Sequence, residues 1–239
     1  MISRKIQDIH GKPHKFFIRD LNIDLDSAKN NLEFEYNRIA EGKMRGVPKV
    51  EFDNPKREFQ LASKSISTIK AREYNAFQMY YSWIHELYSS VVDMTREACY
   101  YYDIDYNEQQ FICQAWFNIN NNEKGGKLGW HDHVEEKNLA APVFHGYFSI
   151  NAEPSETHYS IDGEKQVVVN KNNRAILSRV GYPHAQNNWE WDGQRITLAY
   201  DIIPLNLARQ EDYHNNPKIP EWANFWEQHF FPLPKIFNK

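Results

Sequence analysis

Gln110-Phe111-Ile112-Cys113-Gln114-Ala115-Trp116-Phe117-Asn118-Ile119-Asn120 alternates residue by residue. Phe111, Cys113, Ala115, Phe117 and Ile119 fall on one side. Ile112, Gln114, Trp116, Asn118 and Asn120 fall on the other. A period of two is that of a β-strand, here with an apolar face and a more polar one. Working toward the C-terminus, further strands are expected at about 143–151, 157–162, 165–170, 174–179 and 194–203, separated by Asn, Gly and Pro turns. Many short strands with turn signals between them indicate a sandwich or jelly-roll barrel. Working toward the N-terminus, the pattern becomes helical. Asp24 to Ile39 reads as a helix capped by Asp24 or Asp26, and the Gly-, Pro- and charge-rich residues 40–58 read as a loop. Between Glu73 and Tyr102, apolar residues recur at Tyr74, Phe77, Tyr81, Ile84, Tyr88, Val91 and Ala98. Steps of three, four and seven make one stripe of a long helix that packs against a sheet. Beyond Pro204 the sequence is irregular, and Trp222 to Phe231 reads as a helix on the barrel exterior. The fold class expected is α+β and mainly β: one domain over 1–239, with a helical N-terminal extension at 1–105, a jelly-roll core at 106–204 and a C-terminal extension at 205–239.

With 239 residues and 41% hydrophobic content, the chain can bury one sizeable core. The net charge is −4 and the lysines are scattered, so no electrostatic footprint for nucleic acid is visible. Cys99 and Cys113, the only two cysteines, each lie in an apolar stretch, which fits reduced core thiols rather than a disulfide framework. No apolar leader opens the sequence and no run approaches the roughly 18 apolar residues of a spanning helix, so a cytoplasmic protein without a membrane segment is expected. Seven Trp and fourteen Tyr are enough to line a cavity as well as pack a core.

Chemistry concentrates in two stretches. The first is Trp130-His131-Asp132-His133. Residues i and i+2 of an extended segment project to one side, so His131 and His133 can offer two imidazoles to a metal. His184, in the turn Tyr182-Pro183-His184 just ahead of a strand, is the best candidate for a third. Iron(II) that activates O2 needs such a set on one face, with its other positions left open. The second stretch is Arg195-Ile196-Thr197-Leu198-Ala199-Tyr200-Asp201. Alternation puts Arg195 and Thr197 on one face and Ile196, Leu198, Tyr200 and Ile202 on the other. A guanidinium and a hydroxyl on a barrel wall can hold a carboxylate, and a desolvated arginine without an anion is costly. On the strand near 144–151, Phe144, Gly146, Phe148 and Ile150 form an apolar face opposite His145, Tyr147, Ser149 and Asn151. Gln114, Asn118 and Asn120 share one face of the strand before the histidine pair, where buried amides bind a ligand or satisfy loop backbone. His145 and His158 are candidates to orient metal ligands through their ring nitrogens.

From residue 110 to 204 the chain resembles the 2-oxoglutarate- and iron(II)-dependent oxygenases, in the branches whose first metal motif reads His-x-His. His184 through the Arg195-Ile196-Thr197 strand matches that family's distal histidine and cosubstrate-binding strand. The resemblance implies a double-stranded β-helix, with His131, His133 and His184 as iron ligands and 2-oxoglutarate reaching its distal carboxylate to Arg195 and Thr197. It also implies a tyrosine at the cosubstrate, Tyr147 or else Tyr159. The expected activity is O2-dependent oxidation of an unidentified substrate, usually hydroxylation. The substrate would be chosen by loops 121–130 and 135–143, where Gly125 and Gly126 could let the first loop close as a lid. The family's familiar carboxylate two residues after the first histidine is replaced by His133. Moving the motif one step, to His133-Val134-Glu135, would restore a two-histidine, one-carboxylate set, so Glu135 stays open as a ligand. A cupin-like metal enzyme that does not use 2-oxoglutarate, and a non-catalytic jelly-roll binding module, are the alternatives.

Overall fold

The computed structural model describes residues 11–40, 66–68, 74–120, 129–133, 142–187, 189, 191, 193–205 and 231–235. Ten strands and three helices are present among them. In chain order they are β1 (Phe17–Asp20), α1 (Leu25–Ala40), β2 (Ile66–Ser67), α2 (Ser82–Tyr101), α3 (Tyr106–Gln109), β3 (Phe111–Asn120), β4 (Phe144–Asn151), β5 (Glu156–Ile161), β6 (Glu164–Val169), β7 (Arg174–Arg179), β8 (His184–Gln186), β9 (Arg195–Pro204) and β10 (Phe231–Pro232).

Two antiparallel sheets make the core. The larger has the order β1-β7-β4-β9-β3-β10, with β2 also paired to β3; the smaller has the order β6-β5-β8. The inner residues of β5 show how the sheets face each other. Thr157, Tyr159 and Ile161 are buried while Glu156, His158 and Ser160 are more open, and Tyr159 enters hydrogen bonding with Tyr147 of β4. This is the α+β architecture with the jelly-roll core that the strand pattern predicts and the double-stranded β-helix that the family resemblance implies. The β5–β6 turn is Asp162-Gly163, both at positive φ (51° and 84°), the two-residue hairpin in which glycine carries the left-handed conformation at least cost.

The two faces of the larger sheet differ in character. On the outer face, Phe117, Phe144, Phe148, Leu177, Leu198, Tyr200 and Ile202 join Ile84, Leu87, Val91 and Ala98 of α2 and Leu32 of α1 in one apolar core. Gly146 is needed there. A Cβ would sit 2.2 Å from the Ile176 carbonyl oxygen and 2.4 Å from the Tyr200 ring, whose hydroxyl donates to that same oxygen at 2.9 Å. The inner face carries two small apolar patches, Trp116, Tyr147, Ile176 and Ala199 in one and Ile112 and Ile203 in the other, with polar side chains beside them.

Of the two expected N-terminal helices, the first is present and the second is shortened. Asp24 caps α1, its Oδ1 accepting from the backbone N–H of Asp26 at 3.1 Å and of Ser27 at 3.2 Å. The long helix expected from Glu73 is interrupted. Ala76–Gln78 forms a 3₁₀ turn, Met79 is extended, and α2 starts at Ser82. The reason is tertiary. Asn75 accepts from the Phe77 N–H and donates to the Cys113 carbonyl at 2.9 Å, so the turn is pinned to β3. Phe231 pairs with Cys113 as part of β10, so it does not end a helix. The rest of the expected C-terminal helix, the loop at 41–58, Glu135, the Gly125-Gly126 hinge and most of loops 121–130 and 135–143 lie outside the described residues. Cys99 and Cys113 are buried free thiols, as composition implies. No helix among the described residues is long and apolar enough to cross a membrane.

Candidate active site

Backbone pairing first brings the expected histidines together. His131 donates its N–H to the His184 carbonyl at 3.0 Å and accepts from the His184 N–H at 2.8 Å, so the segment before His133 continues the smaller sheet beyond β8. Directly opposed residues in such a pair carry their side chains together on the same face. The ring centroids of His131 and His184 are 4.3 Å apart, those of His131 and His133 5.5 Å, and those of His133 and His184 5.2 Å. One nitrogen from each of the three lies within 4.8 Å of the other two, close enough to share a metal ion.

Each ring has one side occupied. His131 Nδ1 is 2.8 Å from the Gly129 carbonyl, and His133 Nδ1 is 3.0 Å from Asp201 Oδ2. The His184 ring is hydrogen bonded to the Tyr182 backbone. His133 Nε2 is buried and has no hydrogen-bond partner. A neutral imidazole with one nitrogen hydrogen bonded and the other turned into a cluster of its kind fits a divalent metal, because only an unprotonated nitrogen can ligate. Burial favours that neutral form for two of the three. It lowers the pKa of His131, and burial together with the neighbouring imidazoles depresses that of His184 strongly. His133 differs. Burial pushes its pKa down, but the Asp201 carboxylate outweighs burial and leaves it raised.

A fourth histidine lies against these three. His145 of β4, in register with Asp201 of β9, stacks on His133 with centroids 3.8 Å apart and donates through Nδ1 to Asp201 Oδ1 at 2.8 Å. Burial and the nearby imidazoles bring its pKa down to about 4. His133, His145 and Asp201 therefore form a second overlapping group with metal-ligating atoms. Trp116 of β3 closes the cluster from behind, its ring about parallel to those of His133 and His145.

The arginine end lies in the same interior. Arg195 is 4% exposed, and burial lowers its pKa to about 10. Its Nε donates to Ser155 Oγ at 3.1 Å, and among the described residues no carboxylate pairs with it. Ser155 Oγ also accepts from Asn170 at 3.0 Å. Asn170 Oδ1 accepts from the Tyr147 hydroxyl at 2.7 Å and from Thr157 at 3.2 Å. Tyr159, whose ring stacks on that of His184 with centroids 5.5 Å apart, is hydrogen bonded to Tyr147, so the row of polar contacts from Arg195 ends on a tyrosine that stacks against the histidines. Thr197 is buried on the face of Arg195, opposite Ser149, whose Oγ is buried and unpartnered. Gln186, two residues beyond His184 on β8, likewise has a buried Nε2 without a partner.

All six residues expected at a metal or cosubstrate site thus face one interior: His131, His133 and His184 at one part, and Tyr147, Arg195 and Thr197 at the other. Gln114, Asn118 and Asn120 join them there, opposite Asp201, Thr197 and Arg195. His145 hydrogen bonds to Asp201, which hydrogen bonds to His133 in turn. His158 does not face the site; its Nε2 pairs with Glu156 at 2.7 Å on the outer side of β5. Sequence reasoning misses Asp201, Ser155 and Asn170. Of these, Asp201 has a readable signal, since it lies six residues after Arg195 and so shares its face.

No protein-family model matches the chain, and no curated protein does. Solved structures do. A prolyl-4-hydroxylase from Pseudomonas putida superposes with a TM-score of 0.53 at 10% identity, covering 83% of this chain and 96% of that one. AviO1 from Streptomyces viridochromogenes Tue57 gives 0.53 at 10% identity, with 83% and 94% covered. At such identity the likeness is one of fold, and it extends over nearly the full length of both neighbours. The chain has the double-stranded β-helix fold of these proteins.

Proposed function

We propose that the protein is an iron(II)- and 2-oxoglutarate-dependent oxygenase, most simply a hydroxylase, acting on a substrate still to be identified. The observation that carries this reading is the pairing, in one barrel interior, of three clustered imidazoles with a buried guanidinium that has no anionic partner among the described residues. A metal satisfies the first and a dicarboxylate the second. The match of fold to a prolyl-4-hydroxylase supports it.

His131, His133 and His184 would hold the metal through the nitrogens not committed to Gly129, Asp201 and the Tyr182 backbone. Bound iron with 2-oxoglutarate supplies the O2-activating chemistry, which no side chain of this chain can provide alone. Arg195 and Thr197 would take the distal carboxylate of the cosubstrate. The guanidinium offers a charge-assisted fork in a site where burial strengthens it. Tyr147, held by Asn170, would wall the cosubstrate and keep its carboxylate oriented. Trp116 and Tyr159 exclude water from the histidine end. We also place the protein in the cytoplasm, a reading supported by its two free buried thiols.

Anaerobic titration of the iron(II)-loaded protein with 2-oxoglutarate tests the proposal through the visible charge-transfer band of a chelated keto acid. The band is expected in the native protein, absent in His184→Ala, and displaced to much higher 2-oxoglutarate in Arg195→Ala. Iron binding without any keto-acid band would move the assignment to a cupin-like metal enzyme. No stoichiometric iron at all would leave a binding module.

A further inference from the structure

Asp201 is buried, at 8% exposure, between two histidines and makes no ion pair with a lysine or arginine among the described residues. Its two oxygens are fully directed. Oδ2 lies 3.0 Å from His133 Nδ1 and Oδ1 lies 2.8 Å from His145 Nδ1. A carboxylate only accepts, so both Nδ1 atoms must carry the hydrogen, which leaves Nε2 of His133 as the atom available to a metal. That atom is the buried one with no partner. The strand register explains the placement. Asp201 is opposite His145 on β4 and opposite Gln114 on β3, so the backbone sets the carboxylate at the level of the histidine cluster.

We propose that Asp201 is the positioning residue of the metal site, supplying through His133 the negative charge that a His-x-His ligand set lacks. The inference rests on the reading of His131, His133 and His184 as ligands. Three neutral imidazoles leave the full charge of a divalent ion uncompensated in a buried site, and burying such a charge unpaired is expensive. A carboxylate one hydrogen bond behind a ligand compensates it, makes the imidazole a better donor and fixes its tautomer and tilt. His145 completes the device. By holding Oδ1 and stacking on His133 it keeps Asp201 aimed at Nδ1. The second ligand-like group, His133 with His145 and Asp201, is then the outer layer of one site. A metal placed there would have to displace both hydrogen bonds that Asp201 makes.

Cobalt(II) titration of the metal-free protein, followed by its visible ligand-field spectrum, tests this without any substrate or turnover. In Asp201→Asn, where the amide cannot accept from both imidazoles, affinity should fall by about 10- to 100-fold while the bound spectrum keeps the form of the wild type. Wild-type affinity in Asp201→Asn overturns the proposal, and so does a spectrum with altered coordination, which would make Asp201 itself a ligand. The pair His145→Gln and His145→Leu keeps the test decisive if Asp201→Asn does not fold. The glutamine amide can still donate to Asp201 and should bind cobalt nearly as wild type, whereas leucine should bind several-fold more weakly; equal affinities overturn the idea. His184→Ala separates this inference from the reading beneath it. If cobalt binds that variant as well as the wild type, the ligand set is wrong. If His184→Ala loses the metal and Asp201→Asn does not, only the role of Asp201 falls.

Discussion

Replacing Arg195 by methionine should raise the stability of the ligand-free protein and destroy its affinity for 2-oxoglutarate. The structure supplies the first magnitude, and the general cost of breaking a buried charge pair supplies the second. Burial drops the Arg195 pKa from 12.5 to about 10, so at neutral pH the charged side chain disfavours the folded state by about 3 kcal/mol. The sign follows from the direction. The unfolded chain holds this proton more tightly, and the penalty lifts only as pH rises through the folded value. Methionine has a similar reach and no charge. It forfeits the Nε hydrogen bond to Ser155, about 1 kcal/mol, for a net gain of about 2 kcal/mol. For a chain of this size that is about 4 to 8 °C in thermal midpoint. With 2-oxoglutarate the balance reverses. Losing one member of a buried, hydrogen-bonded charge pair costs about 3–5 kcal/mol, or roughly a hundred-fold to a few thousand-fold in Kd. The assay is thermal unfolding of metal-free protein beside keto-acid titration of iron-loaded protein, for wild type and Arg195→Met. A variant that melts below the wild type without ligand would refute the view of Arg195 as a charge kept unpaired for an anion. Unchanged 2-oxoglutarate affinity would refute the assignment of that anion.

Gly146→Ala should destabilise the protein by more than about 3 kcal/mol, because the new methyl meets the Ile176 carbonyl and the Tyr200 ring in a packed core; an unchanged denaturant midpoint would contradict the packing described. Tyr200→Phe should cost about 1–3 kcal/mol by leaving the buried Ile176 carbonyl without its donor, measured by the same unfolding curves. The metal-free protein should lose stability as pH falls from about 6.5 to 4. His145 is buried neutral with a folded pKa of about 4, so the unfolded chain takes up the proton first, and His145→Phe should flatten this slope. Cys99 and Cys113 should resist thiol reagents in the native state and react on unfolding, since both are buried and burial raises both thiol pKa values; rapid native labelling would contradict their placement.

The parts of this architecture legible in one sequence are those set by local period. Alternation in β3, β4 and β9 places Arg195, Thr197, Tyr147 and Gln114 on the inner face, and the structure has them there. What escapes is set by partners far along the chain. β1 shows one buried residue, Phe17, and becomes a strand only because β7 offers its edge. The helix expected from Glu73 breaks where Asn75 finds the carbonyl of Cys113, 38 residues away. Asp201 has the right parity to face inward, but its meaning comes from histidines 56 and 68 residues distant. An aspartate inside an apolar strand shows only that something must satisfy it.

That separation of local from distant determinants matches a division of labour across the larger sheet. Its outer face spends sequence on apolar packing against α1 and α2, where Phe144, Phe148, Leu198 and Tyr200 are fully buried and a methyl at Gly146 would meet the Ile176 carbonyl and the Tyr200 ring. The interior it faces leaves polar atoms unsatisfied: Ser149 Oγ on β4, His133 Nε2 and Gln186 Nε2 on the side of the smaller sheet, and a guanidinium that no carboxylate among the described residues pairs with. Each is a cost of about 1–3 kcal/mol to the empty protein, more for the charge. The opposite face stabilises the same strands, and under the proposed function a bound metal and dicarboxylate would satisfy these groups together. The Arg195→Met experiment measures that trade at its largest contribution, since it is the one substitution expected to improve the empty protein and disable the loaded one.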